Sequence, residues 1–513
     1  MRNIYKIIFV VFALSAISCD KWLDIVPEDT TIEKELFSDA GGYYSAINGI
    51  YQTIAGPELY GKNLTWGFAS ALSQNYDNSD AVGSKTGLEY YYTQQYDYKT
   101  DEVEVIAEEI WKTAYNVIAN CNNVIQNIEA ADSTIFPNRE KGEMKVIEAE
   151  ALAIRALMHF ELIRLFAPAP VVDKSVMAIP YSNTFPDKFP KRMTTESVMN
   201  AIIDDLTDAD ALLEDIEYLG ALNDDYIYGP NNRYLVTNSS MGIFFSARGV
   251  RMNNVAVKSL LARVYAYNND LNNANKYASK VYKECIEDEG GYKYSELDKT
   301  GQSSEDRYHK LPSELLISFY NSKLSNIVYS TTMFYTSSTY GDNSYVLKNL
   351  DQMFHPDDVD DFRQSKLVVD IIGKNGNYKS SLKMYDRNDN AGGDLSGKME
   401  NKLLPIMKFS ELRFIMAEYL AQTDDVPGAV AILNNHRVAR GCVARGELDA
   451  AAMDKADFDS ELDKEIWKET ISEGQYFYYC KRINAPKINN NGVFIDMADK
   501  YVLPIPNSEV SFN

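Results

Sequence analysis

The chain has 513 residues, 45% of them hydrophobic and 24% charged, the composition of a folded protein with room for a large core. Its 74 acids against 51 bases leave a net charge of −23. A polyanion of this kind repels phosphate backbones and anionic membrane surfaces, which argues against nucleic acid as a partner.

Read from its start, the chain opens on Arg2 and Lys6, then runs through an apolar stretch from Ile7 to Ile17 broken only by Ser15, and reaches Ser18-Cys19. A charged start, an apolar run of this length and small residues at its end read as an export signal. A permanent membrane helix needs about 20 apolar residues, more than this run has. Cys19 is the acceptor expected for cleavage and lipidation in a bacterial lipoprotein, giving a signal of residues 1–18 and a mature chain of 19–513. The alternative is an ordinary signal peptide followed by an incidental Cys, and Ala16 stands where lipoprotein signals usually carry Leu. Acyl chains on Cys19, rather than a basic patch, would then hold so acidic a protein to its membrane.

Apolar positions at three- and four-residue spacing predict helices at about Ala40–Ile54, Glu104–Ile128, Glu148–Phe166, Ser197–Leu213, Val255–Glu284, Lys408–Ala439 and Leu462–Phe477. In Glu148–Phe166, Ala149, Leu152, Ala153, Ala156, Phe160 and Ile163 share a face, Glu150, Arg155 and Glu161 lie off it, and Pro168 and Pro170 stop it. Two segments look alike at an offset of 155: residues 260–282 and 415–437, with Ala262, Ala266 and Ala274 matching Ala417, Ala421 and Ala429 around polar turns. Small residues at matched places let antiparallel helices approach closely, as in tetratricopeptide-type pairs. The expected fold is mostly α, a tetratricopeptide-type helix-pair (α-α superhelix) scaffold at about 40–54, 104–166, 197–213, 255–284 and 408–482. Irregular or short-strand excursions at about 56–100, 215–254 and 290–401 are too long for simple connections and are expected to form a ligand face.

Catalytic and metal-binding signatures fail on inspection. Residues 392–399 have phosphate-loop spacing but lack the final Ser or Thr. Asp386, Asn388 and Asn390 imitate a calcium loop, yet Ala391 replaces its turn Gly and Gly397 its closing acid. His159, His309, His355 and His436 are isolated, and Asp357, Asp358, Asp360 and Asp361 read as a solvated acidic face. Cys121, Cys285, Cys442 and Cys480 are scattered without zinc or redox spacing and are expected as buried thiols, though one bridge is possible. No catalytic residue, metal site or cofactor is assigned, although 74 acids leave room for a hidden carboxylate pair.

Tyrosine is over-represented at 36 residues, and much of it falls in the excursions. One group is Tyr60, Trp66, Tyr76, Tyr90, Tyr91, Tyr92, Tyr96 and Tyr98; another is Tyr320, Tyr329, Phe334, Tyr335, Tyr340 and Tyr345. A sugar offers an apolar C–H face and a rim of hydroxyls, which a flat ring with a polar tip matches. The candidate substrate-binding residues are Trp66, Tyr76, Tyr91, Tyr335 and Tyr340, with Asn75 as a polar contact. The competing reading is packing, since Tyr90, Tyr92, Tyr96 and Tyr98 share strand parity and can line a core.

With these residues in view, the chain resembles the SusD/RagB family of outer-membrane nutrient-binding lipoproteins. The resemblance rests on Cys19…Leu23-Asp24…Pro27, AGGYYSAINGIY (40–51), EAEALAIRALMHFELIRLFAPAPVV (148–172), AVKSLLARVYAY (256–267), DDFR (360–363), LPIMKFSELRFIMAEYLAQ (404–422) and the closing Tyr501-Val-Leu-Pro504-Ile-Pro506. It departs at IWKETISEGQYFYYCKR (466–482), where Lys468-Glu469 stands in place of the family's Arg-rich stretch, a conservative change in the scaffold. The resemblance implies one domain of four tetratricopeptide-type pairs and a non-enzymatic, cell-surface role. Such a protein captures oligosaccharide or polysaccharide for a TonB-dependent, SusC-like outer-membrane transporter. Three alternatives stay open: a peptide-capturing relative, a surface glycoside hydrolase, and a structural lid without substrate contact.

Overall fold

Asp39 accepts a hydrogen bond from the Gly42 amide at 3.0 Å and so opens the first long helix, α1 (Ala40–Ile54). From there a computed structural model describes residues 34–78, 87–188, 190–216, 227, 232–236, 242–286, 309–330, 346–373, 376–384 and 401–510. The signal, Cys19, the two loop motifs at 386–399, and Tyr335 and Tyr340 lie outside the described residues.

The scaffold continues with α2 (Phe68–Leu72), α3 (Leu88–Gln95), α4 (Asp101–Glu129), α5 (Lys141–Phe166), α6 (Thr195–Glu214), α7 (Asn254–Tyr267) and α8 (Leu271–Ile286). After the third excursion come α12 (Phe409–Gln422), α13 (Val426–Ala439), α14 (Lys455–Glu469) and α15 (Gln475–Arg482), the short turns α9 (Leu324–Ser330), α10 (Leu350–Met353) and α11 (Phe362–Ser365) lying between. The helices pack in order, α1 on α4, α4 on α5, α5 on α6, α6 on α7, α7 on α8 and α8 on α12, so the chain is a mostly helical, superhelical stack.

The repeat holds to the residue. At the same offset, α7 and α12 share both ends, and α8 and α13 share their start. Ala262, Ala417, Ala274 and Ala429 are all fully buried, which is what lets each pair close. Where one long helix was expected over 462–477, there are two, because Gly474 sits at φ 73 and turns the chain between α14 and α15. Tyr90 and Tyr92 do not alternate on a strand; they belong to α3.

Polar residues correct the sequence reading most. Helix α5 is buried on nearly every side, and Glu150, Arg155 and Glu161, expected off its packed face, are buried with it. Each is paired: Arg155 with Asp205 at 2.7 Å, Glu150 with Arg248, and Glu161 with Arg164. Asp358 and Asp361 are fully buried rather than solvated, held by Lys468 at 2.9 Å and Arg363 at 2.7 Å. A charge taken out of water needs such a partner, so sequence polarity alone does not place it. Cys121, Cys285, Cys442 and Cys480 are buried and unbridged.

The strands are short antiparallel pairs: β1 (Met177–Pro180) with β2 (Arg192–Thr194), β3 (Leu315–Tyr320) with β6 (Leu403–Lys408), β4 (Val368–Gly373) with β5 (Gly376–Ser381), and β7 (Lys487–Asn490) with β8 (Val493–Asp496). The open end of the β3–β6 pair carries Tyr320 opposite Leu403.

Candidate functional site

Strand β3 is apolar and buried from Leu315 to Phe319, and Tyr320 is where it meets solvent, 37% exposed. The chain turns at once. The Asn321 amide donates to the Lys402 carbonyl at 2.8 Å, its side chain donates to the Ala55 carbonyl at 2.6 Å, and its Oδ1 accepts from the Lys323 amide at 2.8 Å. One side chain therefore ties the β3 turn to the end of α1, and the two elements become facing walls.

Between these walls lies a cleft of about 670 Å³, a volume in the range of small-ligand sites. The last turns of α1 contribute Asn48 and Gln52, and the β3–α9 segment contributes Tyr320, Ser322, Lys323 and Asn326. Beside the apolar or backbone contributions of Tyr51, Ala55, Gly56, Pro57, Val250 and Ile327, the cleft presents exposed amides, a hydroxyl, an ammonium and one exposed aromatic ring. Arg251 closes the third side, its guanidinium 4.3 Å from the Tyr51 ring centre and bonded to Asn48 Oδ1. Tyr51 is fixed in turn: its hydroxyl accepts from the Met252 amide at 2.8 Å, and Phe319 packs at 6.1 Å. Burial, with Glu150 nearby, holds the Tyr51 hydroxyl well above its ordinary pKa, so it stays neutral. The floor is rigid and the wet rim is polar.

Trp66, Asn75 and Tyr76 are elsewhere, and fully buried. The Tyr76 hydroxyl donates to the Trp66 carbonyl at 2.8 Å and contacts Ser472 Oγ at 3.2 Å, stitching the first excursion to the turn before α15. No face of either ring meets solvent in this conformation. The Asn75 carbonyl accepts from the Lys348 amide at 3.0 Å, while its side-chain amide is buried without a hydrogen bond among the described residues. Tyr91 is half-buried on α3, edge-on to Tyr92 at 5.4 Å. The structure thus brings Trp66, Asn75 and Tyr76 together as packing, and it places none of them, nor Tyr91, among the cleft's lining residues.

Asn48, Gln52, Arg251 and Lys323 were not picked out by sequence, because α1, residues 250–251 and the β3–α9 segment meet only in the fold. Tyr320 left a signal: an apolar run ending in Tyr and passing straight into Asn-Ser-Lys.

A second, interior cavity of about 80 Å³ lies between α7, α12 and α15, lined by Arg263, Tyr267, Glu411, Glu418, Tyr478 and Arg482 among others. Its charges are committed to each other, Arg263 with Glu411 and Arg482 with Glu418, both at 2.6 Å. It has room for a few waters, which the Tyr267 and Tyr478 hydroxyls, without a hydrogen bond among the described residues, would hold.

Comparison with known proteins gives likenesses of sequence and of fold. Residues 22–223 match the SusD-like family model described as starch-binding associating with outer membrane. The chain is 26% identical over 218 residues to SusD-like protein P2 of Formosa agariphila, covering 42% of this chain and 40% of that protein. It is 22% identical over 177 residues to SusD-like protein P25 of the same organism, covering 33% of this chain and 31% of that protein. The matches thus span less than half of these curated relatives. In fold, the chain is similar to a SusD superfamily protein of Bacteroides thetaiotaomicron, with TM-score 0.68, 21% identity and coverage of 92% and 98% of the two chains. A SusD-like carbohydrate binding protein of Bacteroides vulgatus gives TM-score 0.66 at 16% identity, covering 92% and 96%.

Proposed function

We propose that this chain is a SusD-like protein and, more specifically, a non-enzymatic glycan-binding lipoprotein of the outer membrane. On this reading residues 1–18 are the signal and 19–513 are a single domain, anchored through Cys19 and exposed at the cell surface. It captures oligosaccharide or polysaccharide and passes it to a TonB-dependent, SusC-like transporter. A lipid tether supports this division of labour, since it keeps a binding protein at high effective concentration beside a pore.

The observation that carries the glycan reading is the cleft between α1 and the β3 turn. It offers an exposed ring, Tyr320, beside the side-chain amides of Asn48, Gln52 and Asn326. An aromatic face takes the apolar side of a sugar, and amides donate to and accept from its hydroxyls. Glycoside hydrolysis needs a pair of carboxylates flanking the bond, and no acid is among the cleft's described lining residues. That supports capture rather than cleavage. Tyr335 and Tyr340 follow α9 in sequence and remain proposed contacts, with Tyr91 as a further one; Trp66, Asn75 and Tyr76 enter the reading only as support beneath the surface.

Affinity electrophoresis and calorimetry against a panel of polysaccharides test the proposal. Tyr320→Ala is expected to weaken glycan binding about tenfold, the loss typical of truncating a central aromatic contact, with an unchanged unfolding midpoint. Trp66→Ala is expected to lower the midpoint first. Glycan binding that survives Tyr320→Ala intact would sink the assignment of this cleft.

A further inference from the structure

The charge of the cleft runs against that of the chain. In a protein with 74 acids and 51 bases, the described lining carries Arg251 and Lys323 and no carboxylate. Outside the lining, the Lys402 ammonium lies 5.9 Å from the centre of the Tyr320 ring. Glu58 is the acid nearest in sequence; its carboxylate turns beside Gly56 at the rim and is not part of the lining.

Arg251 is not neutralised where it stands. Glu150 is wholly buried and already bonded to Arg248, itself 1% exposed. Arg251 shares that same carboxylate at 3.6 Å, and of the two guanidiniums it is the one that reaches solvent, 21% exposed. One carboxylate facing two guanidiniums leaves one positive charge over, on the cleft side. The Arg251 Nη1 atom is itself buried, on the Glu150 side, so the guanidinium meets solvent through its other atoms. Lys323, across the cleft, has no carboxylate within ion-pair distance among them. A planar guanidinium suits the paired oxygens of a carboxylate or sulfate, and an ammonium supplies a mobile point charge.

We infer that the cleft selects glycan chains bearing negative charge, with Arg251 and Lys323 as the anion-binding residues and Tyr320 stacking on the ring that carries the charge. This rests on the cleft being the glycan site. The protein's overall −23 does not oppose it at contact range, because charges beyond about 8–10 Å are screened at physiological salt while these groups meet the ligand directly. The general acidity then excludes chains that cannot reach the cleft cations.

Binding is measured by calorimetry on the full mature chain with three probes of matched length: an oligogalacturonate for carboxylate, a sulfated galactan oligosaccharide for sulfate, and a neutral galactan oligosaccharide. At least one anionic probe is expected to bind ten times more tightly than the neutral one, and to weaken several-fold between 50 and 500 mM NaCl, in line with screening of exposed pairs. Lys323→Gln is expected to cost that probe about fivefold and the neutral probe clearly less, with Lys323→Arg restoring the anionic probe. Whichever anionic probe responds names the group. A neutral probe that binds as well as both anionic ones, or binding indifferent to Lys323→Gln, overturns the inference. If neutral binding is then lost in Tyr320→Ala, the cleft reading stands and only the charge preference fails. If no probe responds to Tyr320→Ala, the cleft reading fails with it.

Discussion

His159 lies fully buried at the centre of α5, where its protons are specified by its neighbours. Its Nε2 accepts from the Ser182 amide at 3.1 Å, so Nδ1 carries the hydrogen and donates to the Arg155 carbonyl at 2.9 Å. Tyr181 stacks on the ring at 3.9 Å. Burial first, then the nearby Arg155 charge, pushes its pKa down from 6.5 to about 3, although the bond to the Arg155 carbonyl opposes this. A base with a depressed folded pKa contributes stability that is complete above pH 6.5 and lost as pH falls towards 3. At pH 5 the loss is about 2 kcal/mol. Asp463 runs the other way. Burial raises it to about 6, so the folded state takes up its proton early and gains stability as pH falls below that value. The wild-type slope is a sum of such terms, and the difference between wild type and His159→Gln isolates this one. Urea midpoints from pH 7.5 to 4.5 should show the variant less stable at pH 7.5 and flatter towards acid; parallel curves would refute the assignment. At this scale the sequence spoke least. A tyrosine reads the same whether its ring is sealed, as in Tyr76, or open, as in Tyr320. Exposure is a property of the neighbours, and for Tyr320 those come from about 70 to 270 residues away in the chain.

The helices were far more legible, because a helix announces itself through periodicity and caps that are both local. Helix α1 begins and ends at the expected residues, and the matched alanines of α7–α8 and α12–α13 mark the close approaches between partners. The break between α14 and α15 was missed for a physical reason: apolar spacing continues through it, and the interruption is in the backbone, left-handed at Ser472 (φ 60) and at Gly474. That glycine is required twice over. Its φ of 73 is one that other residues adopt at a cost of about 1–2 kcal/mol. A Cβ there would also lie 2.5 Å from the Ala69 Cβ on α2 and 2.8 Å from the Thr65 carbonyl. Overpacking of that kind adds about 1–3 kcal/mol. Gly492, in the β7–β8 turn, has the same backbone sign at φ 79 but open space around its Cβ position. Gly474→Ala should therefore cost about 2–5 kcal/mol and Gly492→Ala about 1–2. Equal urea midpoints for the two would show that contact with α2 contributes nothing.

Over the whole molecule, the cleft and the scaffold obey opposite electrostatic rules. At the cleft, cations are left open to solvent. In the scaffold, Arg363, Arg437, Arg440, Lys383, Lys408 and Lys468 are buried against Glu314, Asp358, Asp361, Glu465, Glu469 and Glu473, six charges facing six. This network joins the DDFR segment before β4 to β6, α13 and α14, elements far apart in sequence. Lys468-Glu469, where the sequence departs from the pattern of the SusD/RagB family it resembles, sits inside it: Lys468 bridges Asp358 at 2.9 Å and Glu465 at 2.8 Å. Sequence could mark these residues through family likeness but not as buried, since an acid run on a solvated face has the same letters. Glu469 is the hub, meeting Arg440 at 2.8 Å, Lys408 at 3.0 Å and Arg363 at 3.3 Å. Arg440 and Lys408 together hold its carboxyl well below the usual range despite burial, so it contributes stability above about pH 4.5 that is lost as pH falls. Glu469→Gln keeps the volume and removes the charge, leaving three buried cations short of a counter-ion. Breaking a buried pair in this way costs about 3–5 kcal/mol. The exposed pair Lys112–Glu108 is the control, and its Lys112→Gln variant should lose less than about 1 kcal/mol. Salt separates the two further. Raising NaCl to 0.5 M should shrink the exposed effect and leave the buried one nearly unchanged, because ions do not enter the network. A Glu469→Gln midpoint that recovers in salt would mean the network is reached by solvent.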